Sequence, residues 1–137
     1  MRIVLDTNVL VSGLLNPFGA PGRIVALLAA GELTLCFDTR ILAEYREVLG
    51  RPFLQLRSDE IEAMMEQITA VGEPLATRPL RGRLPDPDDA MFLEAAIAGG
   101  AEYLVTGNLK HYPVRCRQGV AVATPVRFVE IIQGSSK

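Results

Sequence analysis

Short apolar runs alternate along this chain with longer segments of helical period, and that alternation restricts the fold more than any other feature. "RIVL" (2–5), "LTLCF" (33–37), "EYLVT" (102–106) and "VAVAT" (120–124) have the length and apolar, partly β-branched character of buried strands. Helices are expected near 8–14, over 21–31 (Pro at its start, Gly at its end), and over 39–50, 58–72, 88–100 and 125–132. Thr39 or Asp38 is the expected N-cap of the third and Gly50 its C-cap; Ser58 is the expected N-cap of the fourth. Strands that alternate with helices imply a parallel α/β sheet covered on both faces. The 137 residues suit one domain, expected over residues 1–133, with "GSSK" (134–137) as a frayed tail.

Composition excludes several classes. No apolar run reaches the roughly 18 residues of a membrane span. The N-terminus has none of the three regions of a secretory signal, so a cytoplasmic location is expected. Two cysteines outside any paired motif, with His111 as the one histidine, do not supply a structural zinc site. Cys36 is expected in the core and Cys116 in a loop.

The polar residues inside this apolar frame carry the chemistry. In open α/β sheets functional groups collect beyond the carboxyl ends of the strands. Asp6 directly follows the first strand, and Asn108 lies two residues past the strand 102–106. Asp86, Asp88 and Asp89 open a helix that feeds that same strand, so its N-terminus reaches the same edge. On a helical wheel, Ile41, Leu42, Tyr45, Val48 and Leu49 form one stripe. Glu44 falls roughly 100° from its centre and Glu47 roughly 160° away, so Glu44 borders the buried face while Glu47 faces solvent. Each residue also has a plainer reading: Asp6 as a helix cap, Asp88 and Asp89 as first-turn acids, Glu44 as a solvated helix residue, Asp86 as a turn residue, and Asn108 as a turn residue or the N-cap of a following turn. Gathered at one edge, the carboxylates must either share protons or hold a hard cation. Oxygen ligands suit Mg²⁺ or Mn²⁺, ions that hold a phosphodiester and activate a water.

Net charge is −2, but without Asp6, Glu44, Asp86, Asp88 and Asp89 the chain keeps 11 acids against 14 basic residues. Arg78, Arg81 and Arg83 precede the acidic triplet, and Lys110, Arg115 and Arg117 follow Asn108. An acidic centre with a basic rim suits a polyanion, and Arg78, Arg81, Arg83 and Lys110 are the expected contacts to it.

These residues resemble a known family. "IVLDTNVLVSGL", Glu44 in "ILAEYREVL", "DPDDAMFLEAAIAGGAEYLVTGN" and "TPVRFVEII" are similar in kind and order to PIN-domain ribonucleases, particularly VapC-like toxins of toxin–antitoxin pairs. The resemblance implies a three-layer α/β/α fold with a parallel sheet of four or five strands. It implies a Mg²⁺- or Mn²⁺-dependent endoribonuclease, a homodimer, and a small antitoxin protein as partner. By position, Asp6, Glu44 and Asp89 match the family's three core acids, with Asp86 and Asn108 as further metal ligands. Asn108 stands where many members carry a fourth acid. Thr7 and Thr106 are expected to support the acids by hydrogen bonds. His111 is expected in a loop at the site edge, or on a phosphate. A non-catalytic PIN-like module that binds RNA or protein is the alternative. Phosphatases that use a strand-end aspartate want a second acid at the position of Asn8 and fit less well.

Overall fold

The computed structural model describes residues 1–135. Among these residues five strands form one all-parallel sheet in the order β3-β2-β1-β4-β5: β1 (Arg2–Leu5), β2 (Thr34–Phe37), β3 (Glu73–Pro74), β4 (Tyr103–Val105) and β5 (Val122–Ala123). Six helices complete a three-layer α/β architecture: α1 (Thr7–Leu15), α2 (Ala20–Ala29), α3 (Thr39–Leu49), α4 (Ser58–Val71), α5 (Ala90–Gly99) and α6 (Pro125–Ser135). The central strands are buried on both faces, and Ile3, Val4, Leu5, Leu104 and Val105 are fully enclosed. Helix α5 lies against β1, β2 and β4, and its apolar sequence "AMFLEAAIAG" buries Phe92, Leu93, Ala95 and Ala96.

The boundaries differ from expectation where local chemistry takes over. Strand β3 was expected as loop; it is two residues long and sits at the sheet edge, where Pro74 needs no ladder donor. Residues 87–89 form a 3₁₀ turn ahead of α5 rather than its first turn. Asp38, not Thr39, caps α3 by accepting from Ile41 N at 3.0 Å. Ser58 is the first residue of α4 rather than its cap; Arg57 holds that position without a side-chain capping bond. Helix α6 runs on through Gly134 and Ser135, the first half of the expected tail; the rest of the tail, 136–137, lies outside the described residues.

Register positions the site. Ile3, Val4 and Leu5 pair with Tyr103, Leu104 and Val105. One residue beyond the last pair, Asp6 stands beside Thr106, and Asp6 N donates to Val105 O at 2.9 Å. Strand β2 pairs Arg2 with Thr34 and Ile3 with Leu35, so Asp38 occupies the equivalent place past Phe37. Asp6, Asp38 and Thr106 thus form a row just past the carboxyl ends of three neighbouring strands, and all three are buried.

Candidate metal centre and active site

Asp6 sits at the N-cap position of α1, yet its carboxylate makes no capping bond. It points into the fold instead. Thr106 Oγ1 donates to Asp6 Oδ2 at 2.9 Å, and Tyr112 OH donates to the same oxygen at 3.2 Å. Burial drives the Asp6 carboxyl above its ordinary pKa, and these hydrogen bonds only partly offset that penalty. Tyr45 OH donates to Leu5 O at 2.5 Å and so secures the strand end that carries Asp6.

Asp89 is the second buried acid, 7% exposed. The turn 87–89 delivers it, and Asp86 stabilises that turn by accepting from Asp88 N at 3.0 Å. Asp88 itself is exposed. His111 Nδ1 lies 2.9 Å from Asp89 Oδ2. This contact is an ion pair when the imidazole carries its second proton, and apart from His111 this buried oxygen has no partner among the described residues. Burial, then the charge of Asp6, raise the Asp89 pKa to about 6, with His111 pulling the other way and Asp86 adding a smaller push. Asp86, Asp89 and His111 present ligand atoms within 4.8 Å of one another.

Glu44 is half-buried, as its place on the helix wheel requires, while Glu47 is exposed and pairs with Arg51. Thr7 Oγ1 donates to Glu44 Oε2 at 3.3 Å. Asp6, Thr7 and Glu44 line one open groove of about 420 Å³, with Phe53 and Leu54 on its apolar side. Asn108 takes a different position. Its Oδ1 accepts from Lys110 N at 3.2 Å and caps the 3₁₀ turn 109–111, and its side chain lines a hollow with Asn8, Ser12 and Pro125. Asn8 Oδ1 in turn accepts from Gly107 N at 3.1 Å, tying α1 to the loop after β4. Of the expected basic rim, Arg81 and Arg83 share a groove with Arg115. Arg78 lines a neighbouring hollow with Glu94, and Lys110 is exposed on the turn after Asn108.

Sequence reasoning missed Tyr112 and the contact of His111 with Asp89, and it read Asp38 only as a helix cap. Tyr112 is fully buried against Asp6; "HYPV" carries no periodicity that would mark it as a core residue. His111 was expected in a loop at the site edge or on a phosphate, and it stands against Asp89. Asp38 is a third buried acid of the same edge, but it is already satisfied: Arg40 Nε donates to its Oδ2 at 2.9 Å and Thr77 Oγ1 at 3.2 Å. Burial acts to raise its pKa, and the bonds from Arg40 and Ile41 N outweigh that and hold it low. Asp38 is thus satisfied by its neighbours, whereas burial holds Asp6 and Asp89 above the ordinary carboxylate range.

Two buried carboxylates with raised pKa values, one with an oxygen faced only by His111, fit a divalent cation better than they fit each other. The donor set is mainly oxygen, with one imidazole, as Mg²⁺ or Mn²⁺ accept. An open-sheet α/β domain with such acids beyond its strand ends gathers its functional groups at that edge. The family is more specific. A sequence model of the PIN domain matches residues 2–110, and the chain belongs to the PIN domain family. Among solved structures, VapBC2 from Rickettsia felis bound to a DNA fragment from their promoter is similar, with a TM-score of 0.60 at 20% identity over 90% of this chain and 98% of that one. FitAB bound to IR36 DNA fragment is similar with a TM-score of 0.53 at 21% identity over 90% and 94% of the two chains. No curated protein matches the chain in sequence.

Proposed function

We propose that this protein is a Mg²⁺- or Mn²⁺-dependent endoribonuclease, cytoplasmic, acting as the toxin of a type II toxin–antitoxin pair. The carrying observation is Asp89: a buried carboxylate with one oxygen faced only by His111 and a pKa raised to about 6, next to an equally buried Asp6. That arrangement is costly without a cation. In this reading Asp6, Glu44 and Asp89 are the catalytic acids and metal ligands, Asp86 and Asn108 are auxiliary ligands, and Arg78, Arg81, Arg83 and Lys110 contact RNA. A hard divalent ion supplies, when bound, positive charge for the phosphodiester and a more acidic water. The chain supplies fixed geometry. Thr106 and Tyr112 orient Asp6, Thr7 orients Glu44, and the capped turn 86–89 presents Asp89. Residues 1–133 act as one domain, the protein forms a homodimer, and a small antitoxin blocks the site; the two-component complexes named for the similar structures support this partner.

The test is Mn²⁺-dependent cleavage of RNA by wild type, Asp6→Asn and Asp89→Asn, with circular dichroism to establish folding. Cleavage is expected from wild type alone. If both folded variants cleave like wild type, the site assignment is wrong. One observation favours the second reading, a non-catalytic RNA- or protein-binding module: the oxygen of Asn108 is occupied in capping. A wild-type protein that melts higher with Mn²⁺ but leaves RNA intact supports that reading.

A further inference from the structure

The groove lined by Leu80, Arg81, Gly82, Arg83, Arg115 and Gln118 has no carboxylate on its walls and a volume of about 370 Å³. In a chain of net charge −2 this is a local concentration of one sign. Arg81, Arg83 and Arg115 form no ion pair among the described residues, whereas Arg2, Arg40, Arg46, Arg51 and Arg57 all do. The two segments that meet there are 32 residues or more apart in the chain and both are anchored. Leu80 N donates to Oε2 of the buried Glu94 at 3.0 Å, so the arginine loop starts from a fixed point. Opposite, Arg117 Nε donates to Tyr112 O at 2.7 Å and ties the 113–118 loop to the residue that holds Asp6. Between Arg81 and Arg83, Gly82 has φ +140°, a backbone that side chains avoid and that lets both neighbours line one groove. The groove continues into a hollow of about 280 Å³ that shares Leu80, Gly82 and Arg83 and ends at Pro87 and Ala90, which bracket Asp88 and Asp89.

We infer that Arg81, Arg83 and Arg115 are the phosphate-binding track for single-stranded RNA, leading its backbone along this groove to Asp89. This deepens the ribonuclease reading and rests on it. Guanidinium groups suit the occupant because each matches a phosphate bidentately. Three unpaired ones along a continuous hollow fit a repeating polyanion rather than one ion. Arg115, which follows the site by sequence, joins the track only through the fold.

The test is fluorescence anisotropy of fluorescein-labelled decauridylate with the full chain in EDTA, across a NaCl series. The comparison is wild type, Arg115→Gln and Arg81→Gln/Arg83→Gln/Arg115→Gln. Each lost phosphate contact lowers the steepness of log affinity against log salt by roughly 0.7, so the triple variant is expected to lose about 2 from the slope. Affinity at low salt is expected to fall at least tenfold. Arg57→Gln, an exposed arginine paired to Asp59, removes the same charge elsewhere and is expected to leave the slope unchanged. The track is refuted if wild type does not bind, if the triple variant keeps its slope, if Arg57→Gln matches the loss, or if a polyglutamate peptide displaces the RNA as well as unlabelled decauridylate does. Mn²⁺-dependent cleavage, measured separately, distinguishes the two readings. Binding with the expected slope change but no cleavage removes the nuclease and keeps the track. Cleavage untouched in the triple variant does the reverse.

Discussion

Asp89→Asn removes a charge that the fold holds at a loss, so it is expected to stabilise the metal-free protein at neutral pH while abolishing metal binding. The size follows from the titration. An unfolded aspartate ionises near 3.8 and Asp89 in the fold near 6. The difference of roughly 2 pH units is worth about 3 kcal/mol, at about 1.4 kcal/mol per unit. The sign follows from proton counts. Between the two pKa values the folded state holds the proton and the unfolded state has lost it, so stability falls as pH rises through this window. Below it, both states are protonated and nothing is gained or lost. The amide that replaces the carboxyl cannot ionise, and the difference between variant and wild type should therefore be near zero at about pH 3.5 and fully developed above about pH 6.5. In EDTA at about pH 7.5 the variant should melt higher by about 10 °C, taking ~3–4 °C per kcal/mol for a domain of this size. Added Mn²⁺ should raise the wild-type melting temperature and leave the variant's where it was. Urea titrations across a pH series, with and without Mn²⁺, measure all of this. A variant no more stable than wild type near neutral pH in EDTA, or a difference that does not grow between about pH 4 and 6, refutes the claim that Asp89 is a strained carboxylate awaiting a cation.

Thr106→Val removes the shorter hydrogen bond to Asp6 and the acceptor for Asn108 N, at 2.9 and 3.1 Å, and should cost about 1–3 kcal/mol in urea denaturation. Arg40→Met strips partners from buried Asp38 and Glu94, with a cost of about 1–3 kcal/mol at neutral pH. Because Asp38 is held below its ordinary pKa, the wild type's advantage should be present above pH ~4 and shrink as acid protonates it, which a pH series of melts checks. Gly13→Ala lies mid-helix, where alanine is normally the better residue, but a Cβ there would meet Val25 Cγ2 at 2.6 Å and Pro21 O at 2.7 Å. It should therefore destabilise by about 1–3 kcal/mol, by forcing α1 and α2 apart.

Much of the fold is legible in the chain. "RIVL" and "LTLCF" can be little but buried strands, and the amphipathic wheel of α3 already separates Glu44 from Glu47. Asp6 is legible too, because a carboxylate directly after a buried strand falls at the sheet edge whatever the details. Local pattern decided these features, since hydrophobic period and strand-end position are properties of neighbouring residues.

What the pattern left open depended on register and loop path. The pairing of Leu5 with Val105 sets Thr106 against Asp6, over a separation of 100 residues. Tyr112 reaches the same oxygen from a loop without periodicity, and His111 comes to Asp89 by the same route. Asp38 and Asp6 look alike in sequence, each following an apolar strand; Arg40, two residues on, pairs with Asp38 locally, and the fold adds Thr77 to Asp38 and sets His111 against Asp89. Likewise Arg115 joins Arg81 and Arg83 only because two anchored loops meet. Residue order was enough to say which residue types could stand at the sheet edge. Which carboxylates would be buried in excess of their partners came from the packing, because desolvation belongs to the folded chain and to no segment of it.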